Sequence, residues 1–415
     1  MTETNSLLRE NAAQITLLVV LNLFVGGMVG LERTVLPLVA NQDFGLYGKI
    51  AAVSFIVSFG VIKAISNLFA GRLADRIGRK KLLVLGWLIG IPIPFIVMFA
   101  PNWGWIIFAN VLLGINQGFC WSMTVNMKID LAGSKYRGLV VGLNEFAGYF
   151  AISITALLSG YIAATYGVRP QPFYLGVVFA FIGLFMSLFL VRNTHTGHKR
   201  GSSSLTISLA QSFLITSWQD KQLFSVSQAG FMTNFKDGMA WGLFPLFFVA
   251  RGLDLSSIAT IVAVYPGTWG ILQLFSGPLS DRIGRKWLIG LGMFIQGVSI
   301  LEIVFMDTFT YWLVGAVGLG LGTALVYPVL IAAISDLAPS ESRASSLGVY
   351  RFWRDFGYAA GALFSGVLAD LLGISHAMLI VGILEIISSL VVTTILRESL
   401  TTHHAQGNRK TVSGD

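Results

Sequence analysis

The sequence predicts an all-α membrane protein: twelve transmembrane helices in two pseudo-symmetric six-helix bundles. Three observations carry that prediction. Hydrophobic residues make up 54% of the 415-residue chain and charged residues only 12%, a balance that suits hydrocarbon rather than water as the solvent. Apolar runs long enough to cross about 30 Å of hydrocarbon, roughly 20 residues each, recur twelve times. The two halves also repeat one another, because the segment Gly71-Arg72-Leu73-Ala74-Asp75-Arg76-Ile77-Gly78-Arg79-Lys80-Lys81-Leu82-Leu83 lies 206 positions before Gly277-Pro278-Leu279-Ser280-Asp281-Arg282-Ile283-Gly284-Arg285-Lys286-Trp287-Leu288-Ile289, with nine positions identical.

Taken in order, the first six runs are 12–39, 47–69, 82–100, 105–127, 138–165 and 172–192. The first carries Glu32 and Arg33, and the polar residues before it include Glu3 and Glu10, so a cleavable signal peptide's basic start is missing and the span is expected to be retained. Span two carries Lys63 and leads into the first repeated segment, from which span three departs. Span four carries Asn110, Gln117, Trp121, Thr124 and Lys128, spaced to form one stripe. Span five carries Asn144 and Glu145. The second six are 222–249, 256–276, 287–305, 309–334, 343–371 and 376–396. Span seven carries Lys236 and Asp237, span eight leads into the second repeated segment, and span eleven carries Arg351, Arg354 and Asp355. The 46 glycines fit close helix packing in lipid, since in a soluble helix each costs about 1 kcal/mol relative to Ala.

At the same offset Asp130-Leu131-Ala132 matches Asp336-Leu337-Ala338, Arg137 matches Arg343, and Ser159-Gly160 matches Ser365-Gly366. A unit of that length suits two parallel copies of a six-helix bundle and is too long for a solenoid repeat. The expected organisation is an N-terminus at 1–13, a first bundle at 14–192, a linker at 193–221, a second bundle at 222–396 and a tail at 397–415. The linker opens on a flexible stretch in which His195 and His198 read as spacer, and residues 205–218 suit a short amphipathic helix on the membrane surface.

The net charge of +8 does not imply nucleic acid. With the N-terminus inside, twenty of the 28 Lys and Arg fall in cytoplasmic segments and only Lys49, Arg169 and Arg251 fall outside. That asymmetry is the positive-inside rule and predicts a multi-pass plasma-membrane protein, in a bacterium the inner membrane, with both termini cytoplasmic. Lone Cys120 excludes an internal disulfide and gives no metal-binding spacing. No nucleotide-binding loop G-x-x-x-x-G-K-S/T is present, so no cofactor, metal or ATP-driven step is expected.

With two six-span halves, two segments of the form G-x-L-x-D-R-x-G-R-K and a repeated Asp-Leu-Ala…Arg connection, residues 12–396 resemble the major facilitator superfamily. The resemblance implies alternating access about a site near the midplane, with spans one, four, seven and ten lining the path and two, five, eight and eleven beside them. It also implies a gating role for Gly71, Asp75, Arg76, Gly78, Arg79 and their counterparts Gly277, Asp281, Arg282, Gly284, Arg285, in which the acidic residue meets a helix end and neighbouring basic groups. Two departures weaken a drug-efflux assignment: Asn110 stands where proton-linked relatives often carry Arg, and Thr155-Ala156 where drug antiporters commonly carry Gly-Pro.

A charged side chain at a helix centre costs about 2.5–3.5 kcal/mol on insertion scales and faces a wet cavity or a partner. On that ground the substrate path or coupling residues are Glu32, Arg33, Asn110, Gln117, Trp121, Asn144, Glu145, Lys236, Asp237, Arg351, Arg354 and Asp355. Glu145 and Arg351 are pseudo-equivalent across the repeat and are expected to face each other between the halves. Asn110 and Gln117 serve equally well as interhelical hydrogen-bonding groups. The function expected is secondary active transport of a small solute by a monomer in contact with membrane lipid, as symporter or antiporter. Protons are favoured for coupling through Glu32, with Asp237 second. The alternatives are a facilitative or exchange carrier for an organic anion or metal ion, and a non-transporting membrane sensor. Surplus Arg and Lys suit an anion, and the paired acids suit a cation.

Overall fold

The computed structural model describes residues 9–132, 136–194, 208–339 and 342–398. The expectations for residues 1–8, for His195, His198 and the rest of 195–207, and for 399–415 lie outside the described residues. Everything regular among the described residues is helical. The first half contains α1 Ala12–Gln42, α2 Lys49–Ile77, α3 Arg79–Phe99, α4 Trp103–Ala132, α5 Arg137–Tyr166 and α6 Gln171–Leu190. The second contains α7 Lys221–Ala250, α8 Leu255–Ile283, α9 Arg285–Phe305, α10 Phe309–Leu337, α11 Arg343–Leu372 and α12 Ile374–Ile395. Eleven of these are long and apolar enough to cross a membrane. The exception is α7, 30 residues long, whose buried positions include Asn234, Lys236 and Asp237.

All twelve expected spans are helices, and several run well past their apolar stretch. The repeated segment is mostly not a loop. Helix α2 continues through Gly71 to Ile77 and α8 through Gly277 to Ile283, so only Gly78 and Gly284 turn the chain. Their φ values of 92° and 108° lie in the region that side chains with a Cβ avoid. In α3 the helix is interrupted at Ile91, because Pro92 has no amide hydrogen to continue the ladder.

Helix starts show where the two halves differ. Asp254 caps α8, accepting from the amides and hydroxyls of Ser256 and Ser257, and these hydrogen bonds hold its carboxyl at about 2. Its counterpart 206 positions earlier is Gly48, which has no side chain to cap α2. Asp370 of α11 supplies that cap from the other half, accepting from Lys49 N at 2.6 Å and Ile50 N at 3.0 Å. The linker helix, Leu209–Leu214, is closed by a capping box between Ser208 and Gln211. It is carried by the second half, with Phe213 against Phe352 and Trp353, and Trp353 Nε1 donating to Ser217 at 2.8 Å.

Within each half the closest pairs are α1 with α5 and α7 with α11; between halves they are α2 with α11 and α5 with α8. Glycine permits the tightest of these. A Cβ on Gly26 would overlap the carbonyl of Gly148, and one on Gly361 the carbonyl of Phe235. The halves join at the face opposite the termini, where Gly160 meets Ala259 and Gly366 meets Ile50 and Val53. At the terminal face they part: a Cβ at Gly71, Gly138, Gly142, Gly277 or Gly348 would meet nothing within 4 Å.

Gly361→Ala is therefore expected to destabilise by about 1–3 kcal/mol through overpacking, seen as a lower melting temperature in detergent. Gly71→Ala, at an open helical position, should leave the melting temperature unchanged or raise it. Equal melting of Gly361→Ala and the parent would refute the close approach of α7 and α11.

Candidate functional site

The parted halves enclose a narrow cavity open toward the terminal face. Lys63 and Asn67 reach it from α2, Trp121 and Ser122 from α4, Glu145 and Tyr149 from α5, Tyr327 from α10, and Arg351 and Arg354 from α11. Trp121 and Tyr327 are separated by 206 positions, so the repeat places one aromatic wall from each half. An aromatic cluster closes the far side: Tyr149 stacks on Trp269 with centroids 3.5 Å apart, and the Tyr149 and Tyr327 hydroxyls lie 2.9 Å from each other.

The charges around this cavity are unevenly satisfied. Asp355, fully buried, accepts from Asn67 Nδ2 at 2.5 Å and from Arg354 at 2.9 Å, and Lys63 Nζ lies 4.0 Å away. Asn67 is itself held by Ser122 at 2.9 Å. Glu145 accepts from Trp121 Nε1 at 2.8 Å and Asn144 Nδ2 at 3.2 Å. Three cations, Lys63, Arg351 and Arg354, thus stand against two acids, Glu145 and Asp355. Among the described residues Arg351 forms no hydrogen bond or ion pair. The expected meeting of Glu145 and Arg351 is corrected accordingly: both face the cavity, but they form no ion pair, because Trp121 and Asn144 hold the carboxylate on its own side.

Two further charged groups lie outside the cavity lining. In the second bundle Lys236 pairs with Asp237 at 2.5 Å and donates to Thr323 at 2.9 Å, and the Tyr265 hydroxyl contacts both members of the pair. Glu385 of α12 is buried within reach of their charges. In the first bundle Glu32 and Arg33 are 2% and 1% exposed. Glu32 faces Asn110, whereas the Arg33 guanidinium lies 3.9 Å from the centre of the Trp241 ring and 5.0 Å from that of Phe59.

The stripe of α4 divides by depth. Gln117 donates to the carbonyl of Val25 at 2.9 Å, Thr124 to Asn22 at 3.0 Å, and Lys128 to Asn144 at 2.5 Å. These residues, with Asn110 and Asn144, bind α1, α4 and α5 together, and only Trp121 of the stripe lines the cavity. Single-sequence reasoning did not select Lys63, Asn67, Tyr149 and Tyr327 as site residues. Lys63 was visible as a charge at depth and Tyr327 as the counterpart of Trp121; nothing in the sequence distinguishes Asn67 or Tyr149 from packing residues.

At the terminal face each repeated motif is tied into its own half. Arg79 pairs with Asp130 and donates to the carbonyl of Asn126 at 2.8 Å, while Arg285 pairs with Asp336 at 3.2 Å and Asp281 at 2.6 Å. Asp130 also accepts from Thr194, just beyond α6, at 3.0 Å. Asp75 is exposed and, among the described residues, forms no hydrogen bond or ion pair, while its charge acts on Arg79 four residues further on. Arg76 and Arg282 are exposed on the same face.

Removing Asp355 strands the buried charges of Lys63 and Arg354, a loss of about 3–5 kcal/mol for such pairs, whereas removing Lys63 leaves Asp355 with Arg354 and Asn67. A double-mutant cycle in detergent with Lys63→Gln and Asp355→Asn is expected to be strongly non-additive, and the Glu145→Gln, Arg351→Gln cycle less so. Additivity within about 0.5 kcal/mol in the first cycle would exclude the contact.

Known proteins place this arrangement. The family model described as Major Facilitator Superfamily matches residues 17–227 and 226–413. An uncharacterized MFS-type transporter of Salmonella typhimurium is 23% identical, over 89% of this chain and 93% of its own. Multidrug resistance protein 2 of Bacillus subtilis is 25% identical, over 80% of this chain and 83% of its own. The crystal structure of the human organic anion transporter MFSD10 shares the fold with a TM-score of 0.69 and 15% identity, covering 91% of this chain and 98% of the other.

Proposed function

Because the chain belongs to the major facilitator superfamily, we propose that this secondary transporter carries a small organic anion, coupled to protons. The observation that carries the substrate class is Arg351, a cavity cation that among the described residues has no hydrogen bond or ion pair, beside acids that are already engaged. An incoming carboxylate would meet a planar guanidinium suited to two parallel hydrogen bonds. Trp121, Tyr149 and Tyr327 would hold its apolar body. The human structural neighbour is described as an organic anion transporter, which supports the same class. The multidrug protein of Bacillus subtilis raises a broader substrate range, and an anion-to-cation comparison in one uptake assay separates the two.

The positive-inside bias favours a cytoplasmic terminal face, in a bacterium that of the inner membrane. The cavity would then receive or release solute at the cytoplasm, and rocking of one bundle against the other would close it there and open the far side. A monomer contains every element this requires. Glu32 is the coupling acid proposed, with Asp237 second. It lies on α1 five residues before Pro37, whose missing amide hydrogen leaves the Arg33 carbonyl without its helix partner.

Reconstituted Glu32→Gln is expected to lose uptake driven by an imposed pH gradient while retaining solute exchange. Unaltered proton coupling in that variant would remove Glu32 from the mechanism. Arg351→Gln is expected to raise the KM for anions about tenfold or more, as loss of a charge-assisted hydrogen bond does, with the melting temperature little changed. An unchanged KM would sink the anion reading.

A further inference from the structure

We propose that Arg33 is a second anion-binding station, covered by Trp241 in this conformation and uncovered toward the far face when the bundles rock. The station rests on the reading of the cavity as an anion path. Its first support is position. Arg33 lies nine residues from the end of α1 at Gln42, about 14 Å of helix, and Lys63 fourteen residues from the start of α2 at Lys49, about 21 Å. Arg33 is therefore nearer the far face than the cavity cations.

The second support is an aromatic ladder between the two. Lys63 Nζ lies 5.1 Å from the ring centre of Tyr358, Tyr358 stacks on Trp241 with centroids 4.6 Å apart, and Trp241 covers Arg33 at 3.9 Å. One cation stands at each end of the ladder, and Phe59, its ring centre 5.0 Å from the Arg33 guanidinium and 5.5 Å from Lys63 Nζ, also lies between them.

The third support is what Arg33 lacks. Its Nε and both terminal nitrogens are buried and, among the described residues, donate no hydrogen bond. The ring faces of Trp241 and Phe59 offer their π electrons to the guanidinium, but a face contact leaves the in-plane N–H groups unused, and buried donors are rarely left so. The charges acting on it include the acids Glu32 and Asp237 and the cation Lys63, and among the described residues neither acid forms an ion pair with it. A carboxylate is the partner that five in-plane donors fit.

The cover is also placed to move. Arg33 and Phe59 belong to the first half, Trp241 and Tyr358 to the second. Separation of the halves at the far face lifts the ring from the guanidinium, and an anion arriving there takes its place. When the halves close again, Trp241 returns and displaces the anion toward Lys63 and Arg354. The aromatic cover thus acts as a stand-in for substrate that ties release at one station to closure of the other side.

The test uses the full chain with a wedge at the far face: Gly160→Trp, whose side chain would collide with Ala259 between α5 and α8. Phenylglyoxal labelling of Arg33, read by peptide mass spectrometry, is expected in Gly160→Trp and absent from the parent, with benzoate protecting. Trp241→Ala, which uncovers the guanidinium without a wedge, should give the same labelling if the wedged protein does not fold. Arg33→Gln is expected to reduce benzoate affinity, measured by calorimetry, about five times more in the uncovered background than in the parent, and Arg33→Lys to restore only part of it, as expected for loss of bidentate geometry. An unlabelled Arg33 in both backgrounds overturns the station, as does labelling without an Arg33-dependent loss of affinity. If benzoate still binds the parent through Arg351 in those cases, the cavity reading stands and the station alone falls; if benzoate binds no background, both fall.

Discussion

Hydrocarbon cannot solvate a charge, and that constraint accounts for where nearly every ionisable side chain in the interior of this protein is found. Asp355 is buried only because Arg354, Asn67 and the nearby Lys63 satisfy it; Asp237 because Lys236 and Tyr265 do; Lys128 because Asn144 and the Leu18 carbonyl do. Each group thereby fixes two or more helices relative to one another. Charges that escape this pairing are the informative ones. Arg351 faces a cavity, and Arg33 faces aromatic rings that belong to both halves.

Duplication supplied the scaffold, and divergence between the copies supplied its asymmetry. Trp121 and Tyr327 remain matched as facing walls, and Arg79–Asp130 has its counterpart in Arg285–Asp336. Elsewhere the copies have parted. Asp254 caps its own helix, while its counterpart Gly48 leaves α2 to be capped by Asp370 across the bundle interface. A cap made within one half is indifferent to rocking; a cap made between halves is broken by it. Asp281 forms an ion pair with Arg285, whereas Asp75 acts on the equivalent Arg79 without an ion pair among the described residues. The two copies thus differ in a few polar contacts on an otherwise symmetrical frame.

The linker helix and the short segments that follow each sixth helix belong to the same frame. Thr194 reaches Asp130, and Glu398 accepts from the amides of Arg285 and Lys286 at the start of α9. Both segments lie against the repeated motif of their own half. The linker helix is held on α11 by Trp353 and its aromatic neighbours, so it travels with the second bundle.

The sequence by itself determined the fold and the family. Membrane spans are legible because a helix in lipid must be apolar for about 20 residues, and the 206-residue offset shows the duplication directly. Charges at depth are legible for the same reason, which is why Glu145, Arg351, Arg354 and Asp355 stand out in the sequence as buried ionisable residues. Which charge meets which was decided only by the tertiary structure. Pairing depends on helix rotation and on the state of the bundles, and neither is encoded in spacing along one chain. Glu145 turned to Trp121 and Asn144 instead of Arg351, and Asn110 and Gln117 proved to face α1. Tyr149, Tyr358 and Trp241 look like any lipid-packed aromatic residues until the two halves are docked. Docking creates the cavity and its cover together, because both are made from surfaces more than a hundred residues apart in the chain.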